Sequence, residues 1–192
     1  MEIKNILLHL SLIRGLGTRC VYEVINQISK DEIFFIYSYK VSDFVRLGCS
    51  QDKAQLFVDG LKDVHILQQE LIFIEKHNVQ FLTLFCSGYP ELLKEIDVPP
   101  IVLYCQGNMS LLKHHKTLAC VGARKAHRYV YDALKQLVVP MIQDNWIIVS
   151  GGALGADTYA HQVTLEFKGK TIVVVGSGLC FWYPDQNRGT HV

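Results

Sequence analysis

Residues 148–161 read IVSGGALGADTYAH, an apolar segment that runs into a glycine-rich loop and then into a stretch with helical spacing. This order is typical of a βαβ unit, and the same alternation continues on either side of it. The predicted strands are residues 117–121, 146–149 and 171–175, and the predicted helices are residues 127–143 and 155–167. The alternation predicts an α/β fold class, with a Rossmann-like, mostly parallel sheet and helices on both faces.

The part of the chain before this region has a different pattern. Apolar residues recur at helical spacing from residue 3 to residue 77, which predicts a small all-α domain over residues 1–78. Two short apolar segments, 79–85 and 101–105, are predicted strands, so the Rossmann-like domain is expected to cover residues 79–192. Residues 12–18, LIRGLGT, predict a helix-hairpin-helix, which either presents a helix N-terminus to a phosphate or is an ordinary turn.

Composition excludes several classes of protein. The chain has 192 residues, of which 49% are hydrophobic and 19% charged, so it is globular rather than disordered. Its longest apolar runs are far shorter than the roughly 18 residues of a membrane-spanning helix, and residues 1–5, MEIKN, do not resemble a secretory signal. We therefore expect a cytoplasmic protein without membrane contact. The six cysteines lack metal-binding spacing, so we expect buried thiols and no metal.

Charge is divided unevenly along the chain. Residues 1–112 carry ten Lys and Arg against thirteen Asp and Glu, whereas residues 113–192 carry nine against five. The basic excess is concentrated in Lys113, Lys116, Arg124, Lys125, Arg128 and Lys135. A cluster of this kind is either a solvated helix face or a surface that attracts a polyanion.

Three glycine-rich loops follow the predicted strands. They read VGARK at 121–125, VSGGALGAD at 149–157 and VGSGL at 175–179. Because ligands of parallel sheets bind at the carboxyl ends of the strands, the three loops together predict a phosphate site. The dinucleotide fingerprint is incomplete, since Pro184 follows Gly176 and Gly178 where a helix is needed, and no Walker A sequence occurs.

These loops, in this order, closely resemble the DNA-processing protein A family, called DprA or Smf. The residues that carry the resemblance are VGAR at 121–124, IVSGGALGADTYAH at 148–161, residues 171–178 and YPDQN at 183–187, preceded by YPELL at 89–93 and PPIVLYCQGN at 99–108. The helical region resembles the sterile-alpha-motif-like (SAM-like) domain of that family more loosely. Two departures stand out: Ala156 replaces the usual isoleucine, and the sequence stops at Val192, which leads us to expect a truncated Rossmann-like domain.

The resemblance implies a protein that binds single-stranded DNA, protects it and helps to load RecA recombinase in natural transformation. It also implies a homodimer, no cofactor and no catalytic turnover. Phosphates are then expected on the amides of the glycines, on the Ser150 hydroxyl and on basic side chains. The expected DNA-binding residues are Gly122, Arg124, Lys125, Arg128, Ser150, Gly151, Gly152 and Gly155, with Asp157, His161 and Asn187 in support.

Two of these supporting residues carry alternatives. Asp157 is expected to hold Arg124 or a loop amide, and His161, four residues later, to hydrogen-bond Asp157. His161 is either a structural histidine or a DNA contact. Bases are expected to stack on one or two exposed aromatic residues, chosen from Tyr129, Tyr131, Tyr159, Phe181, Trp182 and Tyr183.

The glycine-rich loops are also compatible with a function from another class of protein. Nucleotide-handling enzymes and sensors of the phosphoribohydrolase-like Rossmann group carry a P-G-G-x-G-T-x-x-E loop with a catalytic glutamate. Residues 150–157, SGGALGAD, have neither that proline nor the threonine and glutamate. A binding module is therefore preferred to an enzyme.

Overall fold

The computed structural model of the chain describes residues 2–179. The chain divides into two compact units, Met1–Gly107 and Asn108–Val192. Among the described residues, no helix is both long enough and apolar enough to span a bilayer.

The first unit is built mainly from helices. They are α1 (Ile3–Leu12), α2 (Thr18–Ile25), a 3-10 helix (Glu32–Ser38), α3 (Val41–Arg46), α4 (Gln51–Lys62) and α5 (Val64–Lys76). Gly15, with a φ of +85°, allows the reversal between α1 and α2, and the Ser50 side chain caps α4 by accepting from the Lys53 amide. At the centre, the rings of Phe44 and Phe57 stack with centroids 4.6 Å apart.

An antiparallel pair of strands completes this unit. Strands β1 (Gln80–Thr83) and β2 (Val102–Cys105) pair with each other, and the short helix α6 (Glu91–Lys94) lies between them in sequence. Leu84, Tyr89 and Ile101 are buried in the same hydrophobic core as α1, α2 and α4.

The compact units therefore separate at Gly107 and not at residue 78, where the sequence pattern placed the domain boundary. The change of periodicity at residue 78 marks a change of secondary structure, whereas the unit is defined by its shared core. The first unit is consequently not all-α. Its likeness to a SAM-like domain stays a prediction.

The second unit contains the parallel sheet. After a 3-10 helix (Met109–Lys113) come β3 (Thr117–Ala119), α7 (Tyr129–Gln143), β4 (Ile147–Gly151), α8 (Ala156–Glu166) and β5 (Lys170–Val174). The strand order is β3-β4-β5, and both pairings are parallel. The predicted α/β class with a parallel sheet is confirmed, and the three strands and two α-helices lie within two residues of their predicted bounds.

The two crossover helices of this unit pack against each other. The strand order runs in one direction, so right-handed crossovers place α7 and α8 on the same face of β3–β5. Val138 of α7, Ile148 of β4, and Ala160 and Val163 of α8 form its core. Ile147 and Ile148, whose side chains point to opposite faces of the sheet, are both buried, so neither face of β4 is open to solvent.

Candidate nucleic-acid interface

All three glycine-rich loops leave the sheet at its carboxyl edge, because β3, β4 and β5 are parallel. The β3 exit is tied to β4 by a hydrogen bond from the Cys120 amide to the Val149 carbonyl, at 2.9 Å. The β5 exit approaches the β4 exit closely: a Cβ built on Gly152 would lie 3.2 Å from a methyl carbon of Val175. The sequence prediction that these loops converge is therefore met by the geometry of the sheet.

The first and second loops interlock through small residues. A Cβ on Gly122 would lie 2.6 Å from the Cβ of Ala156, and one on Gly155 would lie 2.5 Å from the Arg124 carbonyl oxygen. Gly155 has a φ of +85°, a conformation that L side chains rarely adopt. Gly155 thus allows one backbone to pack on another, and Gly122 leaves room for the Ala156 methyl group.

This packing covers the start of α8. The Ala156 amide, the first of the helix, donates to the Ala123 carbonyl at 3.1 Å. A predicted phosphate at this helix start would therefore meet the backbone of residues 123 and 124. Contact between DNA and the amides of Gly151, Gly152 and Gly155 stays a prediction, and the structure gives Gly155 a packing role.

Ser150 is buried at the end of β4, with 3% of its surface exposed. Its hydroxyl donates to the Cys120 carbonyl, which links β4 to the exit of β3. The single hydroxyl proton is already used within the protein. Ser150 therefore shapes the edge of the sheet and is not available as the phosphate donor that the sequence suggested.

Asp157 lies in the first turn of α8 and is also buried. One of its carboxylate oxygens occupies the space beside Gly151, 2.6 Å from where a Cβ would stand. Burial and the nearby Asp157 charge together raise the pKa of the Cys120 thiol. Among residues 2–179, Asp157 makes no ion pair with Arg124, so the expected support of Arg124 by this carboxylate is not observed.

His161 is a structural histidine. Its Nε2 donates to the Gly151 carbonyl at 2.9 Å, and its Nδ1 lies 2.7 Å from the hydroxyl oxygen of Thr171. That hydroxyl donates to the Ile148 carbonyl at 2.8 Å. Burial lowers the pKa of His161. Both ring nitrogens have partners other than Asp157. Within the described residues, the predicted hydrogen bond between Asp157 and His161 is therefore not formed.

The basic side chains of the first loop face solvent. Arg124, Lys125 and Arg128 are exposed, and none of them forms an ion pair within residues 2–179. By contrast, Lys135 of α7 is bound to Glu166 of α8 at 2.7 Å. Arg124, Lys125 and Arg128 therefore lie in or just after the first glycine-rich loop without carboxylate partners among the described residues.

Aromatic residues divide into exposed and packed groups. Tyr129 is 66% exposed beside His127, with ring centroids 6.0 Å apart. Tyr131 and Tyr159 pack edge to face at 5.8 Å, and the Tyr131 hydroxyl donates to Glu166. Tyr129 is therefore the described aromatic residue best placed to stack on a base. The other candidates, Phe181, Trp182 and Tyr183, and the supporting Asn187, lie outside the described residues.

Sequence reasoning missed the interlocking of the first two loops. The signal was present in the small residues Gly122 and Ala123 of one loop and Gly155 and Ala156 of the other. Small residues at two loop tips permit backbone contact just as they permit contact with an anion. Within residues 2–179, no group of three or more His, Cys, Asp or Glu side chains is arranged to hold a metal ion.

Residues 80–191 match the DNA recombination-mediator protein A family. The chain belongs to this family. It is 31% identical over 121 residues to the DNA processing protein DprA of Bacillus subtilis, and 40% identical over 100 residues to DprA of Streptococcus pneumoniae. These matches cover 63% and 52% of this chain, but 41% and 35% of those proteins.

A solved structure from this DprA family has the same fold. The X-ray structure of DNA processing protein A from Streptococcus pneumoniae aligns with a TM-score of 0.78 at 28% identity. The alignment covers 98% of this chain and 63% of that chain. The two sequence matches cover less than half the length of these DprA relatives, while the family match includes all three glycine-rich loops.

Proposed function

We propose that the chain binds single-stranded DNA at the carboxyl edge of its parallel sheet, as a recombination mediator without catalytic turnover. Arg124, Lys125 and Arg128 are the principal contacts. Arg124 offers a bidentate fork to a phosphate, and the two other cations extend the charged track along the strand. Tyr129 supplies a ring on which a base stacks.

One observation carries this proposal: the three cations are exposed and make no ion pair within the described chain, next to loops that pack backbone on backbone. A cation bound to a carboxylate would have to exchange that partner for a phosphate. These three need no such exchange, so their full charge is available to DNA. Family membership supports DNA as the polyanion.

The glycines of the site act indirectly in this proposal. Gly122 and Gly155 allow the loop of residues 122–125 to lie across the start of α8. The carboxylate of Asp157, held beside Gly151, and the His161–Gly151 hydrogen bond fix the end of β4 beneath it. The loop that bears Arg124 is thereby presented on a rigid base.

Partners beyond DNA are a wider part of the same proposal. We infer, from family membership and the resemblance of the motifs, that the full protein acts as a homodimer and helps to load RecA recombinase during natural transformation. A RecA-loading assay on DNA coated with a single-strand-binding protein tests this part. Acceleration of RecA filament formation by the chain is the expected result.

The test of the DNA site compares two arginines. Arg124→Ala removes a charge-assisted contact, so the affinity for labelled oligothymidylate should fall by about 1.5–3 kcal/mol, which is roughly 10- to 100-fold. Arg46→Ala is the matched control, because Arg46 is exposed but paired with Asp43 at 3.4 Å. It should leave affinity unchanged, and both variants should keep the melting temperature of the parent chain.

Two outcomes contradict the proposal. An Arg124→Ala variant that binds DNA normally but melts at a lower temperature would make Arg124 a scaffold residue. Displacement of the oligonucleotide by equimolar free mononucleotide would instead favour the nucleotide-handling class of Rossmann-like proteins.

A further inference from the structure

The opposite edge of the parallel sheet is also basic. Thr117, Ile147 and Lys170 pair in one row across β3, β4 and β5. The residues that precede these three positions therefore lie at the amino edge, facing away from the glycine-rich loops. This amino edge carries four lysines, namely Lys113, Lys116, Lys168 and Lys170, and all four are exposed.

Few carboxylates oppose these lysines. Asp144, which follows α7, binds Lys116 at 2.9 Å and also accepts from the Trp146 ring nitrogen at 3.0 Å. Glu166, at the end of α8, is bound to Lys135. Both carboxylates are thus already paired, whereas Lys113, Lys168 and Lys170 make no ion pair within residues 2–179.

The amino edge is also concave beside β3. An open depression of about 360 Å³ is lined by Lys113, His114, His115, Lys116, Asp144 and Asn145. The His114 Nδ1 donates a hydrogen bond to the Lys116 carbonyl oxygen at 3.3 Å, because a carbonyl oxygen only accepts. This contact holds the lysine-histidine segment in place along the rim. Charge and shape therefore coincide at this edge.

We propose that the amino edge is a second contact for the phosphate backbone of the same single strand, and this rests on the DNA-binding function proposed above. The strand passes from the Arg124 loop at the carboxyl edge to Lys113, Lys168 and Lys170 at the amino edge. Its phosphates are recognised by lysine charge alone, without base contacts. The depression between Lys113 and Lys116 accommodates one phosphate group.

The distance between the two edges sets a length requirement. Strand β4 has five residues, so at about 3.3 Å per residue the edges are roughly 17 Å apart. A very short oligonucleotide occupies only one edge, whereas a long one reaches both. The second contact should therefore be visible only with long DNA.

The experiment uses the whole chain and oligothymidylates of about 3 and about 25 nucleotides, because at about 3.4 Å or more per nucleotide only the shorter one is confined to a single edge. The variant is Lys113→Gln with Lys170→Gln, which removes two charges and leaves a polar side chain at each position. Its control is Lys53→Gln with Lys76→Gln, which removes two exposed lysines of the first unit. For the long DNA, we expect the amino-edge variant to bind several-fold more weakly and the salt slope to become less negative by about 1.4. The short DNA should bind to it as it does to the parent chain.

Each alternative result has a distinct meaning. An equal loss for both lengths, or an equal loss in the control, would show that the lysines act only through the overall charge, and it would overturn the second contact. Unchanged binding of both lengths would overturn it as well. Absence of any binding by the parent chain would reject the proposed DNA-binding function itself, which the Arg124→Ala comparison tests separately.

Discussion

Gly155 lies directly against the backbone of Arg124: a Cβ added to this glycine would stand 2.5 Å from the Arg124 carbonyl oxygen. The residue that precedes α8 therefore determines where the arginine loop can lie. A change at Gly155 should act on DNA binding through the loop, without touching DNA.

Gly155→Ala should lower both the stability of the second unit and its affinity for DNA. The methyl group requires an unfavourable backbone conformation at φ +85° and displaces residues 123 and 124, at a cost of about 1–3 kcal/mol. Thermal unfolding and oligothymidylate titration measure the two effects. Gly176→Ala is the control, because a Cβ there meets no described atom within 4 Å. Equal behaviour of the two variants would argue against the interlocked loops.

Binding to single-stranded DNA should weaken steeply as salt concentration rises. Three phosphates neutralised by Arg124, Lys125 and Arg128 give a slope of log K against log salt of about −2, at roughly −0.7 per contact. Long DNA that also reaches the amino edge should give a steeper slope. Titrations at several salt concentrations provide the value, and an affinity independent of salt would exclude an electrostatic interface.

Acid should destabilise both units through buried histidines. Burial lowers the pKa of His9 and of His161 below the ordinary histidine value, so the unfolded chain takes up protons more readily than the folded chain. Their contribution to stability is complete above about pH 6.5 and is lost as the pH falls through and below that value. Urea unfolding at a series of pH values measures the loss.

Two variants separate these contributions. His9→Gln should flatten the pH dependence of the first unit, where His9 contacts the Tyr37 hydroxyl and the Asp63 carbonyl. His161→Gln should flatten that of the second unit. Stability that stays constant from neutral pH to pH 5 in the parent chain would contradict the prediction.

The core of the first unit should depend on its stacked ring pair. Phe57→Ala removes a fully buried ring that stacks on Phe44, so the free energy of unfolding should fall by about 3–5 kcal/mol. Phe35→Ala, which removes a ring that is 65% exposed, should change it by less than about 0.5 kcal/mol. Chemical denaturation of both variants tests the contrast. Similar decreases in the free energy of unfolding would contradict a core centred on Phe44 and Phe57.

Sequence patterns predicted the parallel sheet well, because alternating apolar runs and amphipathic segments reflect local burial. They predicted the first loop's basic residues to be exposed for the same reason. They failed at Ser150, whose hydroxyl was assigned to a ligand but donates to Cys120, a residue 30 positions earlier. A serine after a strand gives no local sign of which partner it will meet.

The predicted phosphate cradle shows a second limit of sequence reasoning. Glycine spacing indicates that something approaches the backbone closely, but it does not say whether an anion or another loop does so. At Gly155 the approaching group is the protein's own chain. The exposure of Arg124 does not depend on which group approaches the glycines. A long cationic side chain at a loop tip reaches solvent whether the loop contacts an anion or another loop.

The strands β1 and β2 share their core with the helices before them, although the family match begins at residue 80. The segment that matches the family and the compact units of the structure therefore have different limits. A protease cut between residues 78 and 79 would separate Leu84, Tyr89 and Ile101 from their burial partners, whereas a cut between residues 107 and 108 would leave both cores whole. Limited proteolysis should accordingly leave fragments that end at the later position, and exchange of residues 80–191 between relatives would carry part of a foreign core with it.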